Sequence, residues 1–482
     1  MPDLRPVLYV NGLFLLMLGV AMQVPVLVDA NYHNPDWQVF LAASLASIFA
    51  GGGLVLSTRG YDTRLEMRQA FLLTVSTWLV LPAFGALPFV FSELDLGYTE
   101  AFFEAMSGLT TTGATVIVGL DHAPPGILIW RSLLQWLGGI GIIVMAVAVM
   151  PMLQVGGMQL FRLESSDTSD KIVPRVTEYI GALAALYVGL TALCAVALGL
   201  AGLSAFDAVA HAMTTIATGG FSTSDASVGM FGSASVDIIV TLFMIVGSLP
   251  FVLYIQAARG RPLLLWRDDQ VRLFLLLVVV LVVMLATWLW MTRDFTLPSA
   301  LRFTAFNVVS VMTGTGYATA DYNAWGSFAV AVFFVIMFIG GCAGSTSCGI
   351  KIFRFHVLVA LTRAQIRRLF QPHGVFVPRY NGRPLPESVG GSVMSFLFLF
   401  LVIFLLLTLV LVATGLDFVT AISGAGSALA NVGPGLGDII GPAGNYQSLP
   451  ATAKWFLALG MLLGRLELFT VLVLLTPGFW RA

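Results

Sequence analysis

"MSGLTTTGATV", residues 106–116, is a small, polar, threonine-rich stretch centred on Gly113 and set between strongly apolar runs. It resists helix twice over, because threonine is stiff at χ1 and glycine gives up the most backbone freedom in a helix. Alone, it reads as a tight turn between packed helices. It has three counterparts: "TIATGGFST" (215–223), "MTGTGYAT" (312–319) and "ANVGPGLG" (430–437). Aligning Gly113, Gly219, Gly316 and Gly433 gives one structural unit per roughly hundred residues. Four such stretches at equivalent places outweigh the turn reading.

Each unit has the same order of parts. In the first, an apolar run (69–91) precedes a short segment (98–109), the glycine stretch and a second run (127–152). Unit two reads 179–202, 205–216, Gly219 and 236–257; unit three 271–291, 301–312, Gly316 and 328–361; unit four 389–414, 418–429, Gly433 and 451–475. An unmatched pair, 7–28 and 37–56, stands in front, the first run being too long for a signal-peptide core. The expected organisation is an N-terminal helix pair (1–60) and four pore repeats (61–158, 159–260, 261–370, 371–482). The fold class that follows is an all-α integral membrane protein with ten spanning segments and four re-entrant ones around a central pore.

Composition agrees: 58% of residues are hydrophobic and 10% charged, against about 25% charged in a soluble domain. The long runs reach the roughly 20 residues that cross a bilayer. All but five of the 24 basic residues fall in alternate loops, among them Arg59, Arg64 and Arg68; Arg162, Lys171 and Arg175; Arg259, Arg261, Arg267 and Arg272; and the cluster from Lys351 to Arg383. The positive-inside rule makes these loops, and both termini, cytoplasmic. The opposite loops hold Arg131, Arg293, Arg302 and Lys454 among many carboxylates, such as Asp29, Asp36, Glu93, Glu100 and Glu104. Such a face attracts cations. The formal charge of −1 gives no reason to expect nucleic acid.

Non-helical backbone is tolerated at membrane depth only where protein buries it or it lines a wet cavity. Four glycine loops converging on one axis meet that condition for one another. Glycine lets consecutive carbonyls turn toward the axis without a Cβ in the way. Rings of such oxygens replace the hydration shell of a monovalent cation, and the negative ends of the four short helices favour a cation below them. Thr111 flanks the first loop; Thr112, Thr218 and Thr315 would add hydroxyls, with Val432 breaking the row.

In the third unit, "GGCAGSTSCGIK" (340–351) interrupts the second helix near mid-membrane. Gly340, Gly341, Gly344, Ser345 and Gly349 lower helix propensity sharply, so a bulge under the loops ending at Lys351 is expected; a small-residue packing surface is the competing reading. Arg465 is the one basic residue deep in an apolar run, where an ionisable group needs water or a partner. A structural ion pair and a pore-facing charge are both open to it, but not a pair with Glu467, two residues away on the helix. Gly138, Gly139 and Gly141 form either a hinge or a packing surface. The basic segment 363–383 is either a docking site for a cytoplasmic partner or an ordinary cytoplasmic loop.

"SGLTTTGAT", "ATGGFST", "GTGYAT" and "NVGPGLG" resemble the four filter loops of the TrkH/KtrB/HKT superfamily of potassium transporters, and most closely its TrkH-type members, over the whole chain. The resemblance implies a pseudo-fourfold, potassium-selective pore with Gly113, Gly219, Gly316 and Gly433 as filter glycines. It also implies an intramembrane gating loop at 340–351, where Ser347 and Cys348 depart from a more glycine-rich pattern, and an arginine below the filter at Arg465. By the same resemblance the chain forms a homodimer in a bacterial inner membrane on a cytosolic ring of nucleotide-binding TrkA-type subunits. Potassium is then the substrate, with no covalent cofactor and nucleotide bound only by the partner.

A coupled secondary transporter is the alternative, but those repeats are commonly inverted, whereas an even number of spans per unit keeps all four in one orientation. An enzyme is not expected: five histidines and three scattered cysteines (Cys194, Cys342, Cys348) form no metal pattern, and no P-loop is present.

Overall fold

The computed structural model describes residues 3–60, 66–148 and 172–481. Arg64, Arg162, Lys171 and the boundary expected at 158/159 lie outside the described residues. The four short segments form helices: Tyr98–Leu109, Ala205–Ile216, Leu297–Thr313 and Phe418–Ala430. At 1.5 Å per residue a 12-residue helix spans about 18 Å, little more than half the hydrocarbon core. Three are capped by a side chain at their first turn, with Ser204, Thr296 and Asp417 accepting from the backbone of Asp207, Ser299 and Thr420. The third starts at Leu297 rather than 301, because Thr296 and Pro298 together make a helix start. Their inner halves are wholly buried.

The second helices of the units interleave with these pore helices. Pro125–Ala148 lies against Tyr98–Leu109 and Ala205–Ile216, and Ala234–Ser248 against the second and third pore helices. Ala451–Arg465 lies against the fourth and the first. The ring therefore closes on itself. Lys454 pairs with Glu100 at 2.8 Å across the closure, and the Tyr446 N–H donates to Thr115 O at 2.8 Å. The leading spans, Arg5–Asn31 and Trp37–Ser57, pack on the first unit.

Among the described residues seven helices are long and apolar enough to cross a membrane, and two more spans are bent pairs. The runs 236–257 and 451–475, each read from sequence as one span, are both broken. Ala234–Ser248 turns by 93° into Phe251–Ala258 at Pro250, which lacks the N–H that would continue the helix. Ala451–Arg465 turns by 106° into Phe469–Leu475 at Glu467 and Leu468, whose φ angles are +58° and +57°. The break expected in unit three is present: Ser327–Ile336 ends, an irregular segment runs to Lys351, and Ile352–Phe370 resumes. That segment begins at Met337, three residues ahead of the glycines. The first unit's helix is unbroken over its described residues, Pro125–Ala148, and Gly138 and Gly139 serve packing: a Cβ at Gly138 would lie 1.8 Å from Leu109 O, and one at Gly139 2.5 Å from the Tyr187 hydroxyl.

Candidate functional site

All four pore helices run into loops with one backbone conformation. Two left-handed residues flank one that is not: Thr111 and Gly113, Thr218 and Gly220, Gly314 and Gly316, Asn431 and Gly433. The central residue of each trio donates its N–H to the carbonyl five residues back, Thr112 to Ser107, Gly219 to Thr214, Thr315 to Ser310 and Val432 to Ser427, at 2.8–3.0 Å. The alignment of the second unit is thereby corrected by one residue. Gly220, not Gly219, is the counterpart of Gly113, Gly316 and Gly433, and Gly219 stands level with Thr112, Thr315 and Val432. Thr218 correspondingly leaves the threonine row and joins Thr111, Gly314 and Asn431.

The loops touch in cyclic order. A Cβ built on Gly113 would lie 2.3 Å from Gly219 O, one on Gly220 1.8 Å from Thr315 O, one on Gly316 2.1 Å from Val432 O, and one on Gly433 2.7 Å from Thr112 O. Each glycine thus makes room for a carbonyl oxygen of the next unit, and the oxygens of Thr112, Gly219, Thr315 and Val432 form one closed set. Here glycine is required both by its positive φ and by that close approach. The threonine hydroxyls are held by protein groups: Thr112 Oγ1 by Thr110 Oγ1 (2.7 Å) and Asn431 Nδ2 (2.9 Å), Thr315 Oγ1 by Thr313 Oγ1 (2.7 Å), and Thr218 Oγ1 by Ala217 O (2.8 Å).

A polar belt that the sequence reading missed fixes the first two loops. Arg131, fully buried on the first unit's second helix rather than in an outer loop, pairs with Glu104 at 2.8 Å and donates to Ser222 O at 2.7 Å. Glu104 in turn accepts from Val116 N (2.9 Å) and Thr115 Oγ1 (3.0 Å). Removing one partner of such a pair strands the other, typically at a cost of about 3–5 kcal/mol. One turn on, Gln135 donates from Nε2 to Gly219 O at 2.5 Å and accepts from Phe221 N at 3.0 Å. Its amide occupies the place of the side chain that Gly219 lacks, since a Cβ there would sit 2.4 Å from Gln135 Cδ. The signal was in the sequence: two polar residues four apart, hence on one helix face, in an apolar run. Tyr446 supports the fourth loop, its hydroxyl donating to Gly433 O at 2.7 Å.

Below the ring, the irregular segment lies against the ends of two pore helices. Thr346 Oγ1 donates to Ile216 O and Gly247 O, both at 2.9 Å, and Ser347 Oγ to Thr313 O at 2.6 Å. Gly344 O accepts from Phe251 N (3.0 Å) and Ser345 Oγ donates to Cys342 O (2.6 Å). At its base Gly340 N donates to Ile350 O, next to Gly349 with φ +75°, while Lys351 Nζ donates to Ser347 O. Arg465, the last residue of its helix, reaches the segment: Nη1 lies 2.6 Å from Cys348 Sγ and 3.4 Å from Thr346 O, and Nη2 donates to Gly138 O at 3.2 Å. Among the described residues no carboxylate pairs with Arg465. Glu467 instead forms a buried ion pair with Arg354, whose guanidinium lies 3.7 Å over the Phe396 ring. Cys348 Sγ is also 3.5 Å from Thr111 Oγ1. The space left between Asn431, Cys348, Lys351 and Arg465 is about 30 Å³, a narrow cavity with room for water but for little more.

Fold and site together define a membrane protein for cation transport, built as one chain folded into a pseudo-fourfold ring. The sequence profile of the TrkH family, described as cation transport protein, matches residues 36–478, and the chain belongs to that family. It is 47% identical over 479 residues to the Trk system potassium uptake protein TrkI of Halomonas elongata, covering 99% of this chain and 97% of the relative. It is 40% identical over 484 residues to the Trk system potassium uptake protein TrkH of Escherichia coli K12, covering 99% of each. The crystal structure of the potassium transporter TrkH from Vibrio parahaemolyticus superposes with a TM-score of 0.92 at 37% identity, covering all of both chains.

Proposed function

We propose that this chain carries potassium into the cell through a pore whose filter is the four-loop ring and whose gate is segment 337–351. The observation that carries the reading is the cyclic contact of Gly113, Gly220, Gly316 and Gly433 with the carbonyls of Gly219, Thr315, Val432 and Thr112. Backbone oxygens around a central site suit a weakly hydrated monovalent cation. The relatives named above as potassium uptake proteins support potassium as that cation. The membrane potential drives entry, at about 2.3 kcal/mol per charge per 100 mV. In this reading the protein lies in the inner membrane with both termini and the basic loops cytoplasmic. Family membership supports a homodimer regulated by a cytosolic nucleotide-binding ring of the TrkA type.

The test is ion flux and reversal potential in liposomes under opposed potassium and sodium gradients. The expected reversal potential follows the potassium gradient. Equal permeation of both ions, or flux locked to proton movement, overturns the proposal in favour of a nonselective or a coupled transporter. Gly113→Ser is expected to raise relative sodium permeation, since its Cβ meets Gly219 O; unchanged selectivity in that variant would take Gly113 out of the filter.

A further inference from the structure

The helix that follows the gate segment, Ile352–Phe370, lies beside the first turns of Asp269–Thr292, and segment 375–379 closes the cleft between them. The cleft holds about 670 Å³. Four arginines line it, Arg272, Arg363, Arg367 and Arg379, together with His356 and a single carboxylate, Asp269. Asp269 is already engaged, accepting from Asn381 N at 2.8 Å and lying 3.9 Å from His356 Nε2. Arg272 donates from Nε to Trp266 O. Among the described residues the guanidinium groups of Arg363, Arg367 and Arg379 bond to nothing. The rest of the lining is apolar, including Leu276, Val359 and Phe376, and Leu276 is 59% exposed.

We infer that this cleft binds an anionic phospholipid of the cytoplasmic leaflet, the arginines taking its phosphate and the apolar wall the start of its acyl chains. The inference rests on the cytoplasmic placement proposed above. Three features select this occupant. Unpartnered arginines in one cleft match a phosphate, which guanidinium binds in bidentate fashion. Arg272 and Leu276 lie within about 11 Å of the start of a spanning helix, the depth at which headgroup gives way to acyl chain. Basic pockets between spanning helices on the cytoplasmic side have the chemistry of lipid headgroup sites. A free phosphate would leave the apolar wall and most of the volume unused. The cleft is also a built one: Asn381 ties the hairpin after it to the start of Asp269–Thr292 through Asp268 and Asp269, and Tyr380 packs edge-on against His356.

Native mass spectrometry of the full detergent-purified chain, titrated with phosphatidylglycerol, phosphatidylcholine or soluble glycerol phosphate, tests this. The expected result is phosphatidylglycerol adducts at least several-fold above the other two, abolished in the triple variant Arg363→Gln, Arg367→Gln, Arg379→Gln. These residues are exposed, so the variant's lipid-free melting temperature should match the parent's. Arg259→Gln with Arg261→Gln, on a loop outside the cleft, should keep the adducts. Equal adducts in both variants would reduce the cleft to general positive charge. Glycerol phosphate binding as well as the lipid would make it a soluble-anion site, and a change in subunit number in the triple variant would make it a subunit contact; each overturns the inference. The readout needs no ion flux, so it stands or falls separately from the pore proposal.

Discussion

Gly220→Ala is expected to lose potassium-over-sodium discrimination by about tenfold or more, or conduction altogether, while Gly219→Ala does less damage. At Gly220 the φ of +79° costs an L-residue roughly 1–2 kcal/mol, and its Cβ would lie 1.8 Å from Thr315 O, so an oxygen of the ring must move. A shift of 1.4 kcal/mol between two competing ions is a factor of ten. At Gly219 the backbone is not left-handed, and the group in the way is the far end of the Gln135 side chain. Adding Gln135→Ala vacates that space but leaves Gly219 O and the buried Phe221 N without their partner, so the pair should discriminate less well than Gly219→Ala alone. Reversal potentials in liposomes for the two single variants and the pair decide the matter. If Gly219→Ala were the more harmful and Gly220→Ala silent, the register of the second loop would be the one read from sequence.

That one-residue error shows where sequence reading stops. The pore helices were legible because composition and length define them: Tyr98–Leu109 and Ala205–Ile216 have the bounds expected. The doublet Gly219-Gly220 offers two glycines, and only the backbone tells which is left-handed and which is level with Thr112. The broken helix at Pro250 carried a signal that an apolar run masked. The elbow at Glu467 and Leu468 carried none, since no glycine or proline marks it; the turn places Glu467 against Arg354, a contact 113 residues away in sequence. Arg465 was singled out because a charge in an apolar run demands an explanation. Arg131 was missed because it lies near a helix start, where a charge reads as a loop residue.

The second large effect is expected at the gate. Deleting residues 342–348 should raise unstimulated potassium flux tenfold or more, and Arg465→Gln should move it the same way. The two ends of the segment lie side by side at its base, running parallel: Gly340 N bonds Ile350 O, Ile350 N bonds Phe338 O, and a Cβ on Gly349 would lie 3.0 Å from Gly340 Cα. What the deletion removes is the bonding of Thr346 and Ser347 to the ends of the second and third pore helices, and the target of Arg465. Hydrogen bonds to charged groups contribute about 1.5–3 kcal/mol each, and every 1.4 kcal/mol taken from the shut arrangement is tenfold in its population. Arg465→Gln keeps the chain length and loses the charge, so it separates the latch from the plug. Flux of potassium or rubidium into liposomes, beside a melting curve for each variant, is the measurement. A well-folded deletion variant with unchanged flux would make segment 337–351 a packing element. If the deletion conducts and Arg465→Gln does not, the plug rests on the pore-helix ends alone, and the arginine acts on the ion rather than on the gate.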